Sequence, residues 1–254
     1  MSYFQFEHRS VYYEETGAGA PLLLLHGNAA SSNMFYEIAK RYEGQRRVIL
    51  IDFLGHGRSD RLAALPSDLW FYEAEQVLAL LREKQYGKVD IVGTSGGALV
   101  AVNVALEAPE LVGRLIADSF EGERAVRAFT ENLKLDRERS KRDENARLFY
   151  RYMHGEDWER VVDSDTDAIL RHEREIGAFF HRSLRSLRPE ILLTGSAEDE
   201  YACAGDPAYF EKVYGRMLSE MGHGEMHLFP SGGHPAMLSN QEAFYRLSTA
   251  FFAS

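Results

Sequence analysis

The chain carries one cysteine in 254 residues, Cys203, so it can form no internal disulfide, as suits a reducing compartment. Cys203 sits in a Tyr-Ala-Cys-Ala-Gly stretch with no base beside it, a poor setting for a reactive thiolate. Basic residues are in the minority: 29 Lys and Arg stand against 39 Asp and Glu, and no dense basic run interleaves with aromatics. At a net charge of -10 the chain has little with which to displace counterions from a phosphate backbone, which argues against nucleic acid as a partner. No apolar run approaches the ~18 residues that a membrane span needs. Met1 to Glu7 shows no basic leader followed by an apolar stretch, so a cytoplasmic location with no membrane partner is expected. Internal repeats and low-complexity tracts are missing as well.

What is present is ordinary globular composition, 45% hydrophobic and 27% charged, at a length that suits one α/β domain with an insertion. Tyr3 to His8 and Val11 to Glu15 alternate and are joined through Arg9-Ser10, which predicts a hairpin at an antiparallel sheet edge. Pro21 to Leu25 is instead a continuous apolar run, the pattern of a strand covered by helices on both faces. Similar runs recur at Val48 to Ile51, Val89 to Val92, Leu115 to Ala117, Ile191 to Leu193 and Met226 to Phe229. Helical patterns lie between them, at Asn33 to Tyr42, Leu69 to Gln85, Gly96 to Ala108, Ala208 to Met221 and Gln241 to Phe252. The alternation predicts an α/β fold with a mostly parallel sheet and right-handed crossovers.

One segment breaks the pattern. From Glu121 to Arg188, 30 of 68 residues are charged, and this shift marks an inserted subdomain between core segments 1–120 and 189–254. Its apolar positions recur at three and four residues, at Ala146, Phe149, Tyr150 and Met153 and again at Ile169, Ile176, Phe179 and Phe180, which predicts helices. Its many charges read mostly as a solvated face laced with ion pairs.

Gly93-Thr94-Ser95-Gly96-Gly97 follows the apolar strand Val89 to Val92 and opens a helical run, the setting in which a serine is held strained and exposed above a sheet. Gly-rich strand-to-helix turns also bind phosphate, so the pentapeptide alone leaves both readings open. Three further segments narrow it: His26-Gly27-Asn28 after the first parallel strand, Asp52-Phe53-Leu54-Gly55-His56-Gly57-Arg58-Ser59 after the next, and Ser231-Gly232-Gly233-His234 near the end. In this order the segments resemble the α/β-hydrolase superfamily over nearly the whole chain outside the insertion. The resemblance implies an eight-stranded, mostly parallel sheet with helices on both faces, and the insertion at 121–188 falls where the superfamily builds a helical cap.

The resemblance also implies roles. Ser95 is the expected nucleophile and His234 the base that takes its proton, since a serine is a weak nucleophile without one. Asp199, in Gly195-Ser196-Ala197-Glu198-Asp199, is the expected acid; Glu198 and Glu200 flank it, and Asp118 is a rival position. The backbone N–H groups of Asn28 and Gly96 are the expected oxyanion hole. No metal or organic cofactor is required. His26 and His56 read as structural, and His154, His172, His181, His223 and His227 as surface or packing residues. Phe53, Leu54, Phe120 and Trp158, with Phe179 and Phe180, are candidates to line a pocket for a small-molecule substrate.

The His26 to Ser32 loop also resembles that of haloalkane dehalogenases, but those enzymes and the related epoxide hydrolases use an aspartate nucleophile where this chain has Ser95. The expected activity is hydrolysis of a small carboxylic ester, thioester or lactone. Carbon-carbon or amide and iminopeptidase hydrolysis on the same residues is the alternative, and a non-catalytic ligand-binding protein is a third reading. The residues leave oligomeric state open.

Overall fold

Why the apolar runs lack alternation is plain from the sheet they build. The computed structural model describes residues 2–201, 206 and 208–254, and Cys203 lies outside them. Among the described residues eight strands form one sheet: β1 Ser2–Phe6, β2 Arg9–Gly17, β3 Ala20–Leu25, β4 Arg46–Asp52, β5 Val89–Thr94, β6 Val112–Asp118, β7 Glu190–Ser196 and β8 Glu225–Phe229. Their order is β1-β2-β4-β3-β5-β6-β7-β8. The β1–β2 and β2–β4 pairs are antiparallel and the rest parallel, so the alternating N-terminal hairpin is the antiparallel edge.

Leu22 and Leu24 of β3 face one layer of helices, α1 Tyr36–Tyr42, α8 Ala236–Ser239 and α9 Gln241–Ala253. Leu23 and Leu25 face the other layer, α2 Leu69–Lys84, α3 Gly96–Glu107 and α7 Tyr209–Met221. A strand covered on both sides needs an apolar residue at every position. Helix α3 is buried from Gly96 to Leu106 on all sides, and its sequence is accordingly apolar all round. The helical pattern from Asn33 starts as a 3-10 turn, Ser32–Phe35, capped by the Ser31 hydroxyl, before α1 begins.

Between β6 and β7 come α4 Arg127–Ser140, α5 Glu144–His154 and α6 Trp158–Glu175. The Asp143 carboxylate caps α5 by accepting from the Ala146 N–H at 2.9 Å, and Gly155 ends that helix at a φ of 83°. The helical periodicity read through Ile176, Phe179 and Phe180 stops earlier than expected, at Glu175. Gly177, at a φ of 73°, turns the chain so that its carbonyl accepts from Ala125 N–H and Phe179 N–H reaches Glu123 O at 3.0 Å. That turn drops Phe179 into the core against Trp70, with ring centroids 4.8 Å apart.

Candidate active site

Ser95 occupies the turn between β5 and α3 with φ 54° and ψ -127°, outside the regions that suit an L-residue. Two glycines make the turn possible. A Cβ on Gly93 would stand 2.1 Å from the carbonyl oxygen of Gly97, and one on Gly97 would stand 2.1 Å from that of Leu25. Strand, turn and helix therefore approach to a distance that no side chain allows, and the Ser95 hydroxyl stands at the carboxyl end of the sheet.

His234 follows β8, and its ring reaches Ser95: Nε2 lies 3.0 Å from Ser95 Oγ, while Nδ1 donates to Asp199 Oδ2 at 2.8 Å. Burial pushes the imidazole down, but the Asp199 hydrogen bond and charge, helped by Asp118 and Glu200, hold it above its ordinary value. The turn after β7 that carries Asp199 meets the His234 loop at several residues. Glu198 Oε2 accepts from Gly232 N–H at 3.1 Å and Glu200 Oε2 from His234 N–H at 3.0 Å. Tyr201 N–H donates to Asp199 Oδ1 at 3.0 Å, and its ring stands edge-on to His234 with centroids 5.3 Å apart. The two glutamates that flank the aspartate thus bind main chain, and Asp199 alone takes the ring.

Asp118, the rival position, is engaged elsewhere. Its carboxylate accepts from Thr94 Oγ1 at 2.8 Å, Thr194 Oγ1 at 2.7 Å and Met237 N–H at 3.0 Å, tying β5, β6 and β7 to α8. Burial pushes it up to about 6, against the pull of those donors. Ser119 beside it, at a φ of 54°, accepts from Ala236 N–H at 2.8 Å, so the end of β6 fixes the chain just past His234.

Gly96 heads α3, so its N–H is among the donors a helix leaves unspent. Asn28 lies against it: a Cβ on Gly96 would stand 2.1 Å from Asn28 Oδ1, which also accepts from Trp70 Nε1 at 3.0 Å. The Asn28 side chain is therefore held by the core, and Trp70, unremarked in the sequence, sets its position. The rest of this loop is tied to the inserted helices. Ala29 N–H donates to Asp165 Oδ2 at 2.9 Å, and His154 Nε2 meets Ala29 O at 3.0 Å. His56 Nε2 shares Asp165 Oδ2 at 3.1 Å. His26 bonds Gly27 O and Phe53 N–H, and burial pushes it down to about 4. The Asp52 to Ser59 segment is a knot: Asp52 accepts from Ser32 N–H and Arg58 N–H at 2.8 Å each, and a Gly57 Cβ would meet Asp52 Oδ2 at 2.2 Å.

A cavity of about 390 Å³ opens onto Ser95 and His234. Its apolar wall comes from Met34 and Leu238 of the core and from Val126, Phe129, Leu133 and Phe149 of the insertion. Of the aromatic and aliphatic residues expected to line it, Phe53, Leu54, Phe120 and Trp158 do not; all are buried in packing layers behind it. Phe53 packs on His26, Phe120 stacks on Tyr214 and Trp158 stacks on Tyr150. Phe179 likewise belongs to the core, and Phe180 packs half-buried against it. Polar groups in the lining include Ser119, Glu121, Arg137 and Tyr201. Arg137 NH1 donates to Tyr150 Oη at 2.5 Å and NH2 lies 3.8 Å from Asp165, while its Nε has no hydrogen-bond partner among the described residues. Among the described residues no three His, Cys, Asp or Glu side chains are grouped to hold a metal, and no helix is long and apolar enough to cross a membrane.

The model of the alpha/beta hydrolase family matches residues 22–247. The chain belongs to that family. It is 27% identical over 260 residues to a pimeloyl-[acyl-carrier protein] methyl ester esterase of Nitrosomonas europaea, covering 92% of this chain and 96% of that one. It is also 27% identical over 271 residues to a 2-hydroxymuconate semialdehyde hydrolase of a Pseudomonas strain, covering 94% and 89%. Among solved structures, a meta-cleavage product hydrolase from Pseudomonas fluorescens superposes with a TM-score of 0.78 at 22% identity, over 100% of this chain and 97% of that one, which shows the shared fold. The chain is a hydrolase of this family.

Proposed function

We propose that this hydrolase cleaves a small carboxylic ester, thioester or lactone through an acyl-enzyme on Ser95. The observation that carries the reading is the unbroken relay from Ser95 Oγ to His234 Nε2 and from His234 Nδ1 to Asp199 Oδ2, at 3.0 and 2.8 Å. In it, His234 takes the Ser95 proton as Oγ attacks the carbonyl carbon, and Asp199 stabilises the imidazolium. The N–H groups of Gly96 and Asn28 receive the oxyanion. The imidazolium protonates the leaving alcohol, thiol or lactone oxygen; water, deprotonated by His234, then attacks the acyl-enzyme and frees the acid and Ser95.

Residues 121–188 act as a cap on the core of 1–120 and 189–254, and the cavity beneath it suits a small molecule better than a protein or a long lipid. The esterase relative supports the ester reading, while the semialdehyde hydrolase relative favours a second one, hydrolysis of a carbon-carbon bond on the same three side chains. The test is a panel of short p-nitrophenyl esters, thioesters, lactones and acidic dienols run with wild type and Ser95→Ala. Ester turnover that Ser95→Ala abolishes without lowering the melting temperature is expected. Turnover of the dienol alone would move the assignment to the second reading, and wild-type turnover by Ser95→Ala would overturn both.

A further inference from the structure

The base is usually described by what holds its ring, but in this chain its main chain is held as well. Glu200 is exposed, yet its Oε2 accepts from the backbone N–H of His234 at 3.0 Å. The fit is close: a Cβ on Gly233 would lie 2.9 Å from that same oxygen. Glu198 holds Gly232 N–H from the same turn, and Ser196 Oγ bonds Gly232 O, so the loop is anchored just before His234. On the far side Ala236 N–H and Met237 N–H are fixed by Ser119 and Asp118. Between those anchors the His234 peptide is fastened by Glu200.

We propose that Glu200 is a positioning residue for His234, fixing the peptide from which the imidazole reaches Ser95 and adding a negative charge that favours the imidazolium. The inference rests on the Ser95 nucleophile reading above. Two effects are separable because they depend on different properties of the side chain. Fastening the N–H needs only an acceptor oxygen, whereas favouring the imidazolium needs the charge.

Among the described residues, the ionisable and hydroxyl groups that face His234 are Ser95 at the head of α3, Asp118 and Glu121 at and beyond the end of β6, and Asp199, Glu200 and Tyr201 after β7. Asp118 and Asp199 are fixed by hydrogen bonds, and Glu121 is half-buried in the cavity wall. Glu200 is the exposed carboxylate of the set, so it can be replaced without opening the core.

The experiment measures the second-order rate at which a fluorophosphonate labels Ser95, from pH 5 to 9, in wild type, Glu200→Gln and Glu200→Ala, with thermal melting in parallel. Labelling needs the base but no knowledge of the natural substrate. Glu200→Ala is expected to label about tenfold more slowly at pH 8, because a small displacement of the base is costly. Glu200→Gln keeps an acceptor oxygen and should recover most of that rate. Both variants should show an acid limb lower by a few tenths of a pH unit, a modest shift because the lost charge is solvent-screened. Melting should be unchanged. If wild type is labelled and both variants match it in rate and profile, the inference is overturned while the nucleophile reading stands. A wild-type chain that is not labelled overturns the nucleophile reading and this inference with it.

Discussion

Tyr150 and Trp158 stack with ring centroids 5.6 Å apart and planes 8° from parallel, and of the two only Tyr150 reaches the cavity. Trp158 is 2% exposed and works from behind. Replacing it with alanine should remove about 3–5 kcal/mol of stability, read from urea unfolding, through the void it leaves. Phe149, 43% exposed on α5 beside Tyr150, lines the cavity. Phe149→Ala should leave unfolding nearly unchanged while shifting KM among esters of different acyl length.

Gly97→Ala should fail in a different way. Its methyl group would have to occupy space 2.1 Å from Leu25 O and 2.6 Å from His26 O, both main-chain atoms of the β3 end that cannot turn aside. A loss of about 2–3 kcal/mol is expected, with α3 pushed from β3. Thermal melting and loss of Ser95 labelling should go together in this variant, unlike Ser95→Ala, where melting stays put.

The pH profile of kcat/KM should carry the mark of Asp199. In the proposed mechanism His234 must be unprotonated to act, and its pKa is raised above the ordinary imidazole value, so activity should fall as the pH drops through that raised value. Asp199→Asn removes the hydrogen-bonded charge that raises it. The acid limb should therefore move to lower pH while the plateau falls roughly a thousandfold or more. An acid limb that stays in place would assign it to another group.

Asp118 gives a prediction about stability instead of rate. A carboxyl whose folded pKa is pushed up to about 6 is more protonated folded than unfolded across the interval above its ordinary value. Its neutral form contributes stability that is fully present below about pH 4 and lost as the pH rises through about 6. Wild type should thus lose stability relative to Asp118→Asn over that interval, as measured by chemical unfolding at each pH.

Much of this is written in short segments of the sequence. Continuous apolar runs marked the two-sided sheet because each strand position meets a helix layer, and the spacing around Ser95 marked the turn because only glycine fits beside it. The reach of His234 to Ser95 spans 139 positions, and it was legible only through the order of motifs shared with a family. The cavity wall was not legible. The sequence puts Tyr150 on a periodic helical face and offers Trp158 as a lining candidate but does not say which stands in front, since that depends on how α5 and α6 pack on each other. Phe53 and Phe120 were misplaced for the same reason: position near the sheet's carboxyl end does not say which way a ring turns. The clasp on the His234 loop by Glu198, through Gly232 N–H, and Glu200, through His234 N–H, needed the facing loop, which no local pattern describes.

The bond from Ala29 N–H to Asp165 means that the insertion is not an interchangeable part. A chimera that joined this core to the corresponding insertion of another family member would leave Ala29 N–H and His56 facing a gap unless the donor segment brought a carboxylate to that spot. Exchange of insertions would then alter the loop next to Ser95 as well, so changes in selectivity and in turnover would be inherited together.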